Sequence, residues 1–264
     1  MLNLMKADMY RIFRGKGMYI TLGLTILFVA LTVFVFRSVA IVVGVTDVDP
    51  LDFERMTYVT GADASLLALN NVNSVMHLFL IVPFMLIAVS VFSSGAVKNE
   101  LCAGIGRSGL YLGKWVLSVV LGLLYLAFNL LLTVAMALPI DGLGYWGSGH
   151  LANVLQSFGL QALVMAAFIS VGIFISFVTR RTSATLGAFL AFIFVPRLIA
   201  SILAMAFEGA ASFIYYDLVA QFAFFADVSA IDSTQLVRGI LIALGYIVVP
   251  TVVGIALFKK AEIK

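Results

Sequence analysis

The sequence predicts an all-α membrane protein of six transmembrane helices on three observations: six long apolar stretches, a low charge content, and a sorting of the remaining charges by side. Hydrophobic residues make up 63% of the 264-residue chain and charged residues only 11%, too few to cover a soluble domain of this size. The apolar stretches run over about 17–43, 74–92, 115–139, 154–178, 183–206 and 238–258. A helix crosses ~30 Å of hydrocarbon in ~20 residues at ~1.5 Å per residue, whereas a barrel strand needs only ~10, so stretches of this length predict helices. One transmembrane domain then accounts for residues 1–264.

The charges give an expected topology. Lys6, Arg11, Arg14 and Lys16, then Lys98, Arg107 and Lys114, then Arg180 and Arg181, and finally Lys259, Lys260 and Lys264 make up 12 of the 16 basic residues. They fall at the N-terminus, in the second and fourth connections and at the C-terminus. The other connections and the span ends beside them hold ten of the 13 acids: Asp47, Asp49, Asp52, Glu54, Asp63, Asp141, Glu208, Asp217, Asp227 and Asp232. Basic residues stay on the cytoplasmic side, so both termini are expected there. The net charge of +3 then reports topology and gives no reason to expect a nucleic-acid partner.

Each element follows in order. Residues 1–16 read as an interfacial helix: Leu2, Met5, Met9, Ile12 and Phe13 share one face, while Asn3, Ala7, Arg11 and Arg14 share the other. Lys6, Arg11 and Arg14 suit lipid phosphates or a cytoplasmic partner. The first apolar run is too long for a signal-peptide core and lacks a small-residue cleavage pattern, so it is expected to stay as the first span. In the second, Pro83 removes a backbone hydrogen bond and predicts a kink, either a hinge or static.

The connection Ser93 to Trp115 is longer than a turn needs and carries glycines at 95, 104, 106, 109 and 113. Between Gly95 and Gly104, residues Ala96 to Ala103 are helix-competent, and a short helix held out from the membrane is a mechanical handle. The single cysteine, Cys102, lies there, so no intramolecular disulfide can form. In the fifth span, Ala184 with Ala188 and Gly187 with Ala191 are small residues four apart, a face for a second copy or for internal packing. Arg197 follows Pro196 in the same span. At that depth it needs a partner, Glu208 or Asp217, or must snorkel to the surface. Residues 207–232 carry Phe207, Phe213, Tyr215, Tyr216, Phe222, Phe224 and Phe225, a composition suited to the membrane interface.

Catalytic chemistry finds little footing. His77 and His150 are the only histidines and belong to no metal-spaced cluster, and no GxSxG or HExxH occurs. The stretch Gly109-Leu-Tyr-Leu-Gly113-Lys114-Trp115 fails as a P-loop, having three residues between its glycines and Trp where Ser or Thr must reach magnesium. The expectation is a non-enzyme with no cofactor and no metal. Tyr19, Asn71, Asn73, His77, Asn129, Ser157 and Gln161 are polar positions in or beside spans. Such groups face protein or water, lining a pathway or bridging neighbouring helices.

The segments LMKADMYRIFRGKGMYI, SGAVKNELCAGIGRSGLYLGKW and ALFKKAEIK resemble the permease subunits of type-2 ATP-binding-cassette transporters, especially small bacterial ones that handle peptides. The likeness covers the whole chain in topology and about 45 residues in sequence. It implies an elbow helix at residues 1–16 and a coupling helix of Ala96, Val97, Lys98, Asn99, Glu100, Leu101 and Cys102 docked on a separate ATPase subunit. Gly104, Gly106 and Arg107 would shape the return to the third span, and re-entrant helices would join spans five and six. It further implies a multi-pass protein of the bacterial cytoplasmic membrane, acting with ATP and magnesium held by the ATPase. A second permease copy, identical or related, would pair with it, and the cargo would be an amphipathic or antimicrobial-type peptide. Lipids or hydrophobic drugs fit the apolar chain as well. A non-transporting scaffold or sensor-associated subunit would use the same cytoplasmic loop without ATP turnover.

Overall fold

The computed structural model describes residues 2–42, 60–72, 77–79, 85–93, 95–207 and 215–261. Among these residues every regular element is helical. The elements are α1 (Leu2–Arg14), α2 (Lys16–Val42), α3 (Gly61–Asn71), α4 (His77–Phe79), a π-helical turn (Met85–Val89), α5 (Ser90–Ser93) and α6 (Ala96–Cys102). After them come α7 (Arg107–Asp141), α8 (Ser148–Thr179), α9 (Thr182–Ala206), α10 (Ala220–Phe224), a 3₁₀ turn (Val228–Ala230) and α11 (Ser233–Lys260). Five of them, α2, α7, α8, α9 and α11, are long and apolar enough to cross a membrane. The chain has the build of a multi-pass, all-helical membrane protein.

These five match the predicted spans one, three, four, five and six, and two extend well past them. α7 begins at Arg107 instead of 115, and α8 at Ser148 instead of 154. Both stay helical beyond the apolar run because nothing stops them: Gly106 precedes α7 and Gly142, at φ +78°, ends it. The extra turns of α7 bring Arg107 and Lys114 onto a regular helix, and both matter below.

Burial separates the helices by role. In α8, 61% of the most apolar window is buried, against 11% in each of α9 and α11, so α8 is the centre and the other two are peripheral. Among the side chains described, α9 buries Thr185, Phe189 and Ile193, and α2 buries Thr21, Thr25, Val29 and Val33. Both are stripes four residues apart on one face, and the remaining apolar surface suits lipid. α7 is tied to its neighbours along its length. The hydroxyls of Tyr125 and Thr25 of α2 lie 2.9 Å apart, and Trp115 Nε1 donates to Ser170 Oγ of α8 at 2.7 Å. At Gly254 of α11 the Tyr111 ring of α7 occupies the space a Cβ would need, so glycine fixes that close crossing.

The second traverse differs from its predicted form. Residues 61–71, expected in an external connection before a span at 74–92, form the buried helix α3. α3 runs antiparallel to α7: its first amides, of Gly61 and Ala62, donate to the carbonyls of Gly142 and Leu143, and near its end Ala68 O accepts from Asn129 Nδ2. It thus begins at the end of the bundle carrying Asp63 and descends ~16 Å towards the middle. α4, the π-helical turn and α5 follow, and α6 lies at the opposite end against α1 and Lys114. Pro83 and Asn73, the predicted hinge and pathway residues, lie outside the described residues.

Between α9 and α11 the chain turns inward. Leu218, Val219, Ala220, Gln221, Phe222, Phe225 and Ala226 are buried, while Phe207 and Tyr216 stay exposed. Phe213 lies outside the described residues, and the described aromatics of 207–232 serve two purposes, packing around α10 and surface on the flanks.

Candidate functional site at the basic end of the bundle

α1, α6 and the start of α7 meet around one lysine. Lys114 has no exposed side-chain surface, and its Nζ lies 2.5 Å from Asp8 Oδ2 of α1 and 3.7 Å from Glu100 Oε1 of α6. The first contact is a charge-assisted hydrogen bond and the second an ionic contact beyond bonding range. Arg11 adds a weaker contact to Asp8 at 3.8 Å from the exposed side. A buried ammonium is tolerable only when paired, so Asp8 is drawn to the inner face of α1.

The pairing sets which residues of α1 turn inward. Leu2, Met5, Met9, Ile12 and Phe13 were expected on one face of a helix lying in the membrane interface. Of these Ile12 is buried beside Asp8, Met5 is half-buried, and Met9 and Phe13 are exposed with Tyr10. Leu2 has no described side-chain environment. Lys6, Arg11 and Arg14 are exposed, and Arg14 Nη1 donates to the Tyr10 hydroxyl at 3.0 Å.

α6 is held at both ends by glycine in left-handed backbone, Gly95 at φ +68° and Gly104 at φ +83°. A side chain is disfavoured there, so these positions delimit the helix. Within it Val97 is buried, Ala96, Glu100 and Leu101 are half-buried, and Lys98, Asn99 and Cys102 are exposed. Of the seven residues expected to dock on a partner, three thus point outward, while Glu100 faces Lys114. Burial pushes the Glu100 carboxyl above its usual range, with the nearby Lys114 ammonium opposing the shift. Its Oε2 is buried without a hydrogen-bond partner.

Arg107, expected to shape the return to the third span, closes the end of α11. Its Nη1 donates to the carbonyls of Lys259 and Ala261 at 2.6 and 2.8 Å, with Phe258 O at 3.4 Å. The last carbonyls of a helix lack intrahelical donors, and a cation there also meets the negative end of the helix dipole. The base of α7 is therefore bonded to α1 and α11 and in ionic contact with α6.

The remaining predicted residues separate into three groups. Asn129, with Asn71, His77, Ser157 and Gln161, is buried, whereas Tyr19 is exposed. Asn129, Gln161 and His77 bond the carbonyls of Ala68, Leu69 and Val72, so the structure gathers them at the end of α3. Arg197 Nε donates to Asp217 Oδ2 at 3.0 Å, which makes Asp217 a partner of this arginine, while Glu208 lies outside the described residues. Ala184, Gly187, Ala188 and Ala191 are all exposed, and none is used to pack α9 inside the chain.

Sequence reasoning missed Asp8, Lys114 as a buried group, and α3. The signals were present. Thr60 and Asp63 form a capping box, with Asp63 N donating to Thr60 Oγ1 and Thr60 N to Asp63 Oδ2, directly before the apolar run of α3. Asp8 and Glu100 are two of the three acids that sit on the basic side of the charge sorting, and they converge on one lysine. No protein-family model matches this chain, and no curated protein matches it in sequence.

Proposed function

We propose that this chain is the permease subunit of an ATP-binding-cassette exporter that moves amphipathic or antimicrobial-type peptides out of the cytoplasm or membrane of a bacterium. The observation that carries the reading is the buried Lys114, which joins a short, glycine-bounded surface helix and an N-terminal amphipathic helix to one long apolar helix. α1 and α7 so held move together, because separating them would strand Asp8 or Lys114 as an unpaired buried charge, at ~3–5 kcal/mol, and Glu100 of α6 meets the same lysine.

In this reading α1 is the elbow along the cytoplasmic membrane surface and α6 the coupling helix. Lys98, Asn99 and Cys102 face the ATPase subunit, and both termini are cytoplasmic. ATP and magnesium belong to that subunit, whose closure on ATP pushes α6 and, through Lys114, the base of α7. The inward turn around α10 is the re-entrant segment between the last two spans. A second copy packs along Ala184, Gly187, Ala188 and Ala191, where small side chains let backbones approach closely.

The test is co-purification of the chain with its separately encoded ATPase in lipid nanodiscs, with turnover measured with and without a cationic amphipathic peptide. Stable association, peptide-stimulated turnover, and loss of that stimulation in Lys98→Ala and Lys114→Met are expected. No association, or turnover indifferent to peptide and to both changes, returns the chain to a scaffold role.

A further inference from the structure

α8 and α11 finish side by side at the basic end of the bundle, where Phe177 meets Phe258 edge-on with ring centroids 4.9 Å apart. Between their last turns lies a cleft of about 210 Å³, lined by Phe177, Val178, Arg180, Gly254, Leu257 and Phe258. Its floor is fixed. Phe92 of α5 meets both phenylalanines edge-on, at 5.2 and 6.2 Å, and rings locked in this way keep the cleft from closing on itself. Its mouth is apolar, with Val178 51% and Leu257 49% exposed.

Depth sets this cleft just beneath the lipid headgroups. α11 has 28 residues, ~42 Å of helix, which matches the ~40–45 Å of a bilayer with its headgroup layers. Lys259 and Lys260 at its end then stand among phosphates, while Gly254 and Leu257, within two turns of that end, reach the acyl chains. The rim is cationic. Arg180 and Arg181 follow α8, Lys259 and Lys260 close α11, and residues 171–190 and 245–261 contain no acid; Glu262 lies outside the described residues. Among the described residues Arg180 is the one non-glycine in left-handed backbone, at φ +55°. Glycine or asparagine suits such a helix end, so an arginine is held there against its backbone preference. Its Nε donates to Phe177 O at 3.4 Å and its guanidinium carbon lies 5.9 Å from the centre of the Phe92 ring, which keeps the group at the cleft.

We propose that this cleft binds one anionic phospholipid, its phosphodiester at Arg180 and Arg181 and part of one acyl chain between Val178 and Leu257. An occupant at this depth must bring no backbone groups in need of partners, and an acyl chain brings none. The headgroup is anionic because the rim is built of cations, and basic pockets between helices at a membrane surface hold such lipids. A zwitterionic lipid fills the same groove but carries an ammonium that this rim repels. The site goes beyond the exporter reading and rests only on the chain crossing a bilayer, so its failure would leave that reading as it stands.

The experiment uses the purified, delipidated full chain in a neutral detergent. Dioleoyl phosphatidylglycerol, dioleoyl phosphatidylcholine and inorganic phosphate are titrated separately, with thermal unfolding and native mass spectrometry of retained lipid as readouts. Phosphatidylglycerol should raise Tm saturably and bind roughly tenfold more tightly than phosphatidylcholine. Arg180→Gln combined with Arg181→Gln should remove that preference. Leu257→Trp, which fills the cleft and keeps every charge, should remove the retained lipid. Lys16→Gln, an exposed charge at the same end of the bundle, should change neither. Equal affinity for the two lipids, binding unchanged in Leu257→Trp, or the same rise of Tm with phosphate alone would overturn the proposal. So would a loss of preference as large in Lys16→Gln, since surface charge alone would then account for it. If the double arginine variant does not fold, the wild-type lipid comparison and Leu257→Trp decide it.

Discussion

The two halves of α7 hold the bundle by different chemistry. At its base the ties are ionic: Lys114 to Asp8 and Glu100, and Arg107 to the last carbonyls of α11. Halfway along they are neutral: Asn129 to Ala68 O, beside Gln161 from α8 to Leu69 O. The difference follows depth. Near the end of the bundle a charge can be paired and still reach polar surroundings through Arg11 and Glu100, whereas mid-span a charge is costly and an amide can cap a helix without one. Charge joins the elements that touch water, and amides join those that do not.

The largest effect should come from breaking the ionic half. Lys114→Met strands Asp8 in the protein and is expected to lower unfolding free energy by ~3–5 kcal/mol, while Asp8→Leu with Lys114→Met should recover most of it. Thermal unfolding of the three variants in detergent measures this. A double variant as unstable as the single one would mean that the pair is not the tie. Gln161→Leu tests the neutral half. It removes donors from two buried carbonyls and should cost ~1–3 kcal/mol, with faster amide exchange confined to α3 and α10. Exchange rising equally throughout the bundle would deny α3 a local cap.

Smaller effects sharpen the comparison. Since burial raises the Glu100 pKa in the fold, its contribution to stability is full while the carboxyl is protonated and is lost as pH rises through the raised value. Glu100→Gln, neutral at every pH, should therefore be at least as stable as the native chain near pH ~7, the gap closing on acidification towards pH ~4. A gap of the opposite sign at neutral pH would show that attraction to Lys114 outweighs burial. Lys98→Ala, on the exposed face of the same helix, should leave stability within ~0.5 kcal/mol. Any larger loss would place Lys98 among the structural ties.

The helices were legible in the sequence where composition alone decides them. Long uncharged runs can only be satisfied as helices in lipid, so five spans lay within about five residues of prediction, apart from the extended starts of α7 and α8. Gly95 and Gly104 marked α6 because their backbone requires glycine. Asp217 was one of two acids offered to Arg197, with snorkelling as the alternative, because a guanidinium at depth demands a partner or water. What stayed hidden was pairwise. Asp8 and Lys114 are 106 positions apart, and Asn129 and Ala68 are 61, so the local pattern around each resembles an ordinary polar residue. α3 was hidden because a helix capped by other elements needs neither the length nor the apolarity of a full span.

The caps on α3 also impose an order in time. The chain is made from its N-terminus, so α3 leaves the ribosome before any of Asn129, Gln161 and Phe222, the residues that bond its last turn or share a donor with it. Until α7 and α8 arrive, the second traverse carries uncovered carbonyls that hydrocarbon does not accept. Its settlement in the bilayer is therefore a late event, completed by the helices that follow it.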